Sequence, residues 1–245
     1  MQDKIIIGIS GRKQAGKSTL AEYIQACDYF PHLTCIQSDD GKITIIDDDM
    51  HSEWDWYKFK IHTGTAVGFC SFADALKEFL INVMGLSYEQ CYGTNEEKNS
   101  FTQYKWENLP VAITSKFEQG GVPPIGYIRA RELMQIFGTN IMRRMFSDNI
   151  WVDAAIRRIQ KMAEYIVVIP DVRFISEVKK IMSLDNTYII RLSRKIFEDA
   201  HESETELDQF DFSSFGDRVL VVDNQNMSIQ EKNAVVIPFL EKILS

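Results

Sequence analysis

At 245 residues and 45% apolar composition, the chain can bury a core sufficient for one α/β domain with insertions, without requiring a two-domain split. A net charge of −8 excludes broad electrostatic binding to nucleic acid, which draws its affinity from clustered Lys and Arg neutralising phosphates. Cys27, Cys35, Cys70 and Cys91 lack zinc-site spacing and read as reduced core thiols, and neither a leader nor an apolar run near the roughly 18 residues of a membrane span is visible, so a cytoplasmic protein without membrane contacts is expected.

The first element is a β-branched strand containing Ile5, Ile6, Ile7 and Ile9. It runs into Gly11-Arg12-Lys13-Gln14-Ala15-Gly16-Lys17-Ser18, which fits G-x-x-x-x-G-K-[ST] at every required position and is followed by Thr19. The glycines let the backbone wrap a phosphate, Lys17 can reach its distal oxygens, and the Ser18 hydroxyl is placed to ligate Mg²⁺. Leu20, Tyr23, Ile24 and Cys27 then recur at helical spacing, so the loop opens a helix whose N-terminus favours an anion.

From Ser38 to Asp55 seven acids, Asp39, Asp40, Asp47, Asp48, Asp49, Glu53 and Asp55, surround a strand candidate at Lys42 to Ile46, and Trp54, Trp56, Tyr57 and Phe59 follow. Residues 38–60 read as an acidic and aromatic insertion, either a solvated loop or hairpin, or a partner surface or metal site. Thr65 to Phe72 is the next strand, and a helix from Ala73 through Met84 carries Asp74 and Lys77 in its first turns, near the sheet edge where α/β ligands bind. Residues 92–127 show little periodicity and hold several glycines and prolines, as a lid or a disordered loop would. Helical spacing resumes at Arg131, where Arg131, Gln135 and Gly138 share one stripe suited either to an anion cleft or to a solvated face.

A helix from Trp151 to Ala163 feeds an apolar strand, Tyr165 to Ile169, expected to stop at Pro170. Asp171 and Arg173 follow it directly, where an acid can hold Mg²⁺ or its water and an arginine can neutralise transferred charge; Asp171 could equally cap the helix at Ile175 to Met182. The strand Thr187 to Leu192 ends in the cations Arg191, Arg194 and Lys195, and His201 to Glu206 reads as a polar lid. Arg218 to Val222 is the last strand, Asp223 and Asn224 follow it, and Ser228 with Glu231 forms a capping box for a terminal helix with a kink expected at Pro238. Strands alternating with helices from a phosphate loop onward predict an α/β fold with a mostly parallel sheet covered on both faces.

Taken together, the chain resembles the deoxynucleoside monophosphate kinases of tailed bacteriophages. The resemblance rests on the phosphate loop, Phe72-Ala73-Asp74-Ala75-Leu76-Lys77, Arg131-x-Leu133-Met134-Gln135-x-x-Gly138-Thr139, Trp151-Val152, Pro170-Asp171-x-Arg173-x-x-x-Glu177 and His201-x-x-Glu204-x-x-Leu207, in that order. It implies a three-layer P-loop kinase fold with lid and acceptor-binding insertions, and transfer of the ATP γ-phosphoryl group to a deoxynucleoside monophosphate with Mg²⁺. Residues 11 to 19 would hold ATP, Ser18 and Asp171 the metal, and Lys17 the moving phosphoryl group. Arg131 and Arg173 would take the acceptor phosphate, with Asp74, Lys77, Gln135, Trp151 and Glu177 completing the acceptor site. Arg191 and Arg194 would reach ATP from the lid side, and Asn224 would lie at the adenine. The expected partners are small nucleotides, with homodimerisation open and a host cytoplasm the location if the protein is viral. A small-molecule kinase resembling phosphomevalonate kinase, an NTPase switch using 38–60 as its partner surface, and a non-catalytic nucleotide-binding protein are the alternatives.

Overall fold

The computed structural model describes residues 4–27, 33–47, 52–55, 58, 67–117, 122–195 and 205–244. Trp56, Tyr57 and Phe59 of the acidic stretch, and His201 to Glu204 of the expected lid, lie outside the described residues. The chain forms two compact units, Met1–Ser71 with Arg157–Ser245, and Phe72–Ile156.

The first unit is built on β1, Ile5–Ser10, every residue of which is buried. β1 lies at the centre of a five-stranded parallel sheet ordered β10-β9-β1-β8-β5, with β5 at Val67–Phe69, β8 at Ile166–Val172, β9 at Thr187–Leu192 and β10 at Val219–Val222. From β1 the chain proceeds to the β5 and β8 side and later returns to β9 and β10 on the other. The carboxyl end of β1 is therefore the reversal point of the sheet, where such folds bind ligands.

Helix α1, Lys17–Ala26, and the last helix, α9, Ile229–Leu244, share one core with β1 through Leu20, Tyr23, Ile24, Val236 and Leu240. Burial of each large aliphatic side chain contributes about 1.5–3 kcal/mol. Onto the same core packs a small antiparallel sheet of β2, Leu33–Gln37, β3, Ile43–Asp47, and β4, Ser52–Asp55, through Cys35, Ile43 and Ile45. Its aspartates are partly committed locally: Asp40 accepts from Ser38 and from the Lys42 N–H, and Asp39 accepts from the Ile229 N–H at 3.0 Å. The capping box at Ser228 and Glu231 forms as expected, and α9 continues through Pro238.

Pro170 does not end β8, contrary to the sequence expectation. The strand continues to Val172, and β1 pairs Gly8 with Ile169 but Ser10 with Val172, so β8 carries one extra residue at Pro170-Asp171. A proline has no N–H for the ladder, and a bulge accommodates it while changing the direction of its neighbour. Helix α8, Ile175–Met182, follows, capped by Glu177 rather than by Asp171.

The second unit begins with α2, Asp74–Asn82. Residues 92–127 are more regular than their composition suggests. Short helices α3, Tyr88–Tyr92, and α4, Asn95–Lys98, lead into β6, Phe101–Lys105, and after α5, Val111–Thr114, β6 pairs antiparallel with β7, Tyr127–Arg129. Helix α6, Ala130–Gln135, passes without a break into a π-helix, Ile136–Phe146, before α7, Ile150–Ile159, which ends four residues short of the expected boundary at Ala163. Among the described residues no helix is long and apolar enough to cross a membrane.

Candidate active site

Residues Gly11 to Gly16 turn between β1 and α1 with Gln14 and Gly16 at positive φ. Gly16, at φ 91°, is the N-cap residue of α1 and has no side-chain cap, so the first N–H groups of the helix are left to face an anion. Gly11 is required by crowding: a Cβ there would stand 3.0 Å from the Leu192 carbonyl oxygen and 3.1 Å from the Ala15 Cβ. Lys17 Nζ donates to the carbonyls of Gly11 at 2.6 Å and Arg12 at 2.8 Å, bridging the loop's rim.

Two of the expected nucleotide contacts are committed to building this loop. Asn224 is buried; its Nδ2 donates to the Ala15 carbonyl at 3.0 Å and its Oδ1 accepts from the Arg194 N–H at 3.0 Å. Arg191, only 7% exposed, donates from Nη1 to Ser10 Oγ and from Nη2 to Asp208 Oδ1, both at 2.9 Å. Asp208 also takes the Arg12 guanidinium, with Arg12 Nε at 3.0 Å from Oδ2, and Lys195 Nζ lies at 3.8 Å. Burial pushes the Asp208 carboxyl up, but Arg12 foremost, then Lys195 and Arg191, bring it below its ordinary value. Arg12 and Arg191 are thus clamped by one carboxylate behind the loop.

Asp171 lies in the β8 bulge at the carboxyl edge of the sheet, and Ser71, just beyond the neighbouring β5, donates its hydroxyl to Asp171 Oδ2. Ser71 carries no sequence signature beyond its position immediately before the Phe72–Lys77 block. Glu177 Oε2 accepts the Arg173 N–H at 2.7 Å and the Phe174 N–H at 3.0 Å, which orients the backbone around Arg173. Glu206, at the end of the expected lid, accepts from the Ile175 N–H at 2.7 Å and completes the start of α8.

In the second unit Asp74, Lys77 and Arg131 come together. Tyr92 Oη donates to Asp74 at 3.3 Å, and Lys77 Nζ lies 4.1 Å from the Tyr92 ring centre. Arg131 Nη2 donates to Asn95 Oδ1 at 2.9 Å, while its Nε is buried without a hydrogen-bond partner among the described residues. Lys98, at the end of α4, joins them: burial, then the charges of Lys77 and Arg131, pull its pKa below the ordinary lysine value. Three cations near one another with an unused guanidinium N–H are suited to an anion. Trp151 has a different place, donating from Nε1 to the Gly138 carbonyl at 2.9 Å inside the unit. Gly138 itself is buried, and a Cβ on it would stand 2.8 Å from Leu76 Cδ2, so the π-helix turns this residue of the predicted stripe inward.

The described residues contain no group of three or more His, Cys, Asp and Glu side chains able to hold a metal. The Ser18 hydroxyl and the Asp171 carboxylate are hard oxygen donors, the kind Mg²⁺ takes when it keeps most of its waters and binds mainly through phosphates.

A central parallel sheet with a glycine-bounded loop at its reversal point makes this an α/β protein of the P-loop kinase type. Residues 74–232 match the family model of deoxynucleotide monophosphate kinase, and the chain belongs to that family. The matched region begins after the loop 11–18. No curated protein matches the chain.

Proposed function

We propose that the protein transfers the γ-phosphoryl group of ATP to a deoxynucleoside monophosphate, yielding ADP and the deoxynucleoside diphosphate. The observation that supports this reading is the presence, in a chain of this family, of two separate arrangements suited to anions: the loop 11–18 and the cluster Lys77, Lys98 and Arg131. A kinase whose acceptor is itself a phosphate needs one for each substrate.

On this reading the N–H groups of Gly16 to Thr19 receive the ATP phosphates, and Lys17 exchanges the two rim carbonyls for phosphate oxygens. Ser18 and Asp171 would hold Mg²⁺, which would supply charge neutralisation at the phosphoryl group being transferred. Ser71 fixes the Asp171 carboxylate, and the Glu177 cap fixes the backbone that presents Arg173. Arg131, with its unused Nε–H, takes the acceptor phosphate beside Lys77 and Lys98, while Asp74 and Gln135 serve the rest of the acceptor nucleotide. Loose phosphoryl transfer requires little beyond this positioning and charge stabilisation.

The test is ADP release from Mg·ATP with each deoxynucleoside monophosphate, its ribose counterpart, phosphomevalonate, or no acceptor. Stimulation by deoxynucleotides is expected; release that ignores every acceptor would overturn the proposal. Lys17→Ala should lower kcat by roughly a hundredfold or more, as loss of a transition-state charge contact does. Lys98→Ala should raise the acceptor KM about tenfold with the ATP KM unchanged, the loss of one charge-assisted contact. An unchanged acceptor KM would remove Lys98 from the site.

A further inference from the structure

Lys232 lies in the first turn of α9 and is only 3% exposed. Its Nζ has no hydrogen-bond partner among the described residues, and no acidic side chain offsets its burial. The ammonium lies beside the loop 11–16: a Cβ placed on Gly16 would stand 3.8 Å from Lys232 Nζ. Because Gly16 has no side chain, nothing of that residue covers the ammonium.

The helix is held in this position by its neighbours. Asn233 donates to Gln37 Oε1 at 3.1 Å, and Gln37 in turn donates to the carbonyl of Thr19, in the first turn of α1, at 3.2 Å. Asn224 anchors the preceding loop to Ala15. The same elements that fix the phosphate loop therefore fix the backbone from which Lys232 extends.

A buried ammonium without a counter-charge is among the costliest groups a protein can carry, and it persists where a ligand supplies the missing charge. We propose that Lys232 is a second phosphate-chain ligand of the donor site, an ammonium that approaches the loop from α9 and is neutralised by the polyphosphate of the bound nucleotide. The assignment deepens the kinase reading given above and rests on it. Burial alone brings the Lys232 pKa down to about 8, as expected of a cation awaiting its partner.

The signature of such a residue is a gain and a loss of opposite kind. Replacing Lys232 by Met removes an uncompensated buried charge, so the ligand-free protein should melt at the same or a higher temperature. It should also bind Mg·ATP and Mg·tripolyphosphate about tenfold to a hundredfold more weakly by calorimetry, the loss of one charge-assisted contact. Lys232→Gln, which keeps a polar end without the charge, should weaken both ligands in the same direction. Wild-type affinity in the Met variant overturns the assignment and leaves the kinase reading standing. Weakening for ATP but not for tripolyphosphate overturns the phosphate-chain assignment. A lowered ligand-free melting temperature in both variants makes Lys232 a structural residue and overturns it as well. If the wild-type protein binds neither ligand, the donor-site reading falls and this inference falls with it.

Discussion

Asp208 joins the phosphate loop to the strand beside it. Arg12, in the loop after β1, directs its side chain to this carboxylate, and Arg191 reaches the same group from β9, so the two guanidinium groups share one counter-charge inside the fold. Asp208→Asn keeps the volume but leaves two cations facing a neutral amide, and should destabilise the protein by about 3 kcal/mol in chemical denaturation. The pH dependence has a defined sign. A carboxylate held below its ordinary pKa contributes stability that is full above the unfolded value of about 3.9 and is lost as pH falls through the folded value. The stability gap between wild type and Asp208→Asn should therefore be constant near neutrality and narrow only in acid. A gap that persists below the folded pKa would show that the charge is not what stabilises the clamp.

At the scale of elements, the second unit turns on the junction of α6 with the π-helix. Trp151 of α7 donates its indole N–H to Gly138 within that π-helix. Trp151→Phe retains the ring packing and loses the donor, which should cost about 1–2 kcal/mol and leave the acceptor KM unchanged. A raised KM would return Trp151 to the acceptor site. The same region shows where the sequence is readable and where it is not. β1, α1 and the Ser228 capping box are specified by residues adjacent in sequence, so periodicity and spacing locate them. The elements of 92–127 are three to five residues long, too short for a hydrophobic period to register, although Ser87 with Gln90 and Thr94 with Glu97 form capping boxes that mark the starts of α3 and α4. The continuation of β8 past Pro170 depends on pairing with β1, and the inward turn of Gly138 depends on the π-helix; neither is encoded at the residue itself. Lys232 and Asn224 acquire their places only when the last helix meets the first loop, so no local spacing announces them.

For the whole molecule, the division into two units predicts a division of ligand response. In hydrogen exchange, Mg·ATP should protect residues 5–27, 187–192 and 219–232 of the first unit, and a deoxynucleoside monophosphate should protect 74–98 and 130–135 of the second. Protection by the monophosphate confined to the loop 11–18 would reverse the assignment of donor and acceptor sites. The Asn224 contact with Ala15 also bears on how the protein is made, because it joins positions 209 apart in the chain. β1 is synthesised before its partners β8 and β9, and the residues that brace its loop come later still. The loop 11–18 is thus synthesised before the segments that complete it, so on the proposed reading a nascent chain should gain nucleotide affinity only after α9 is made.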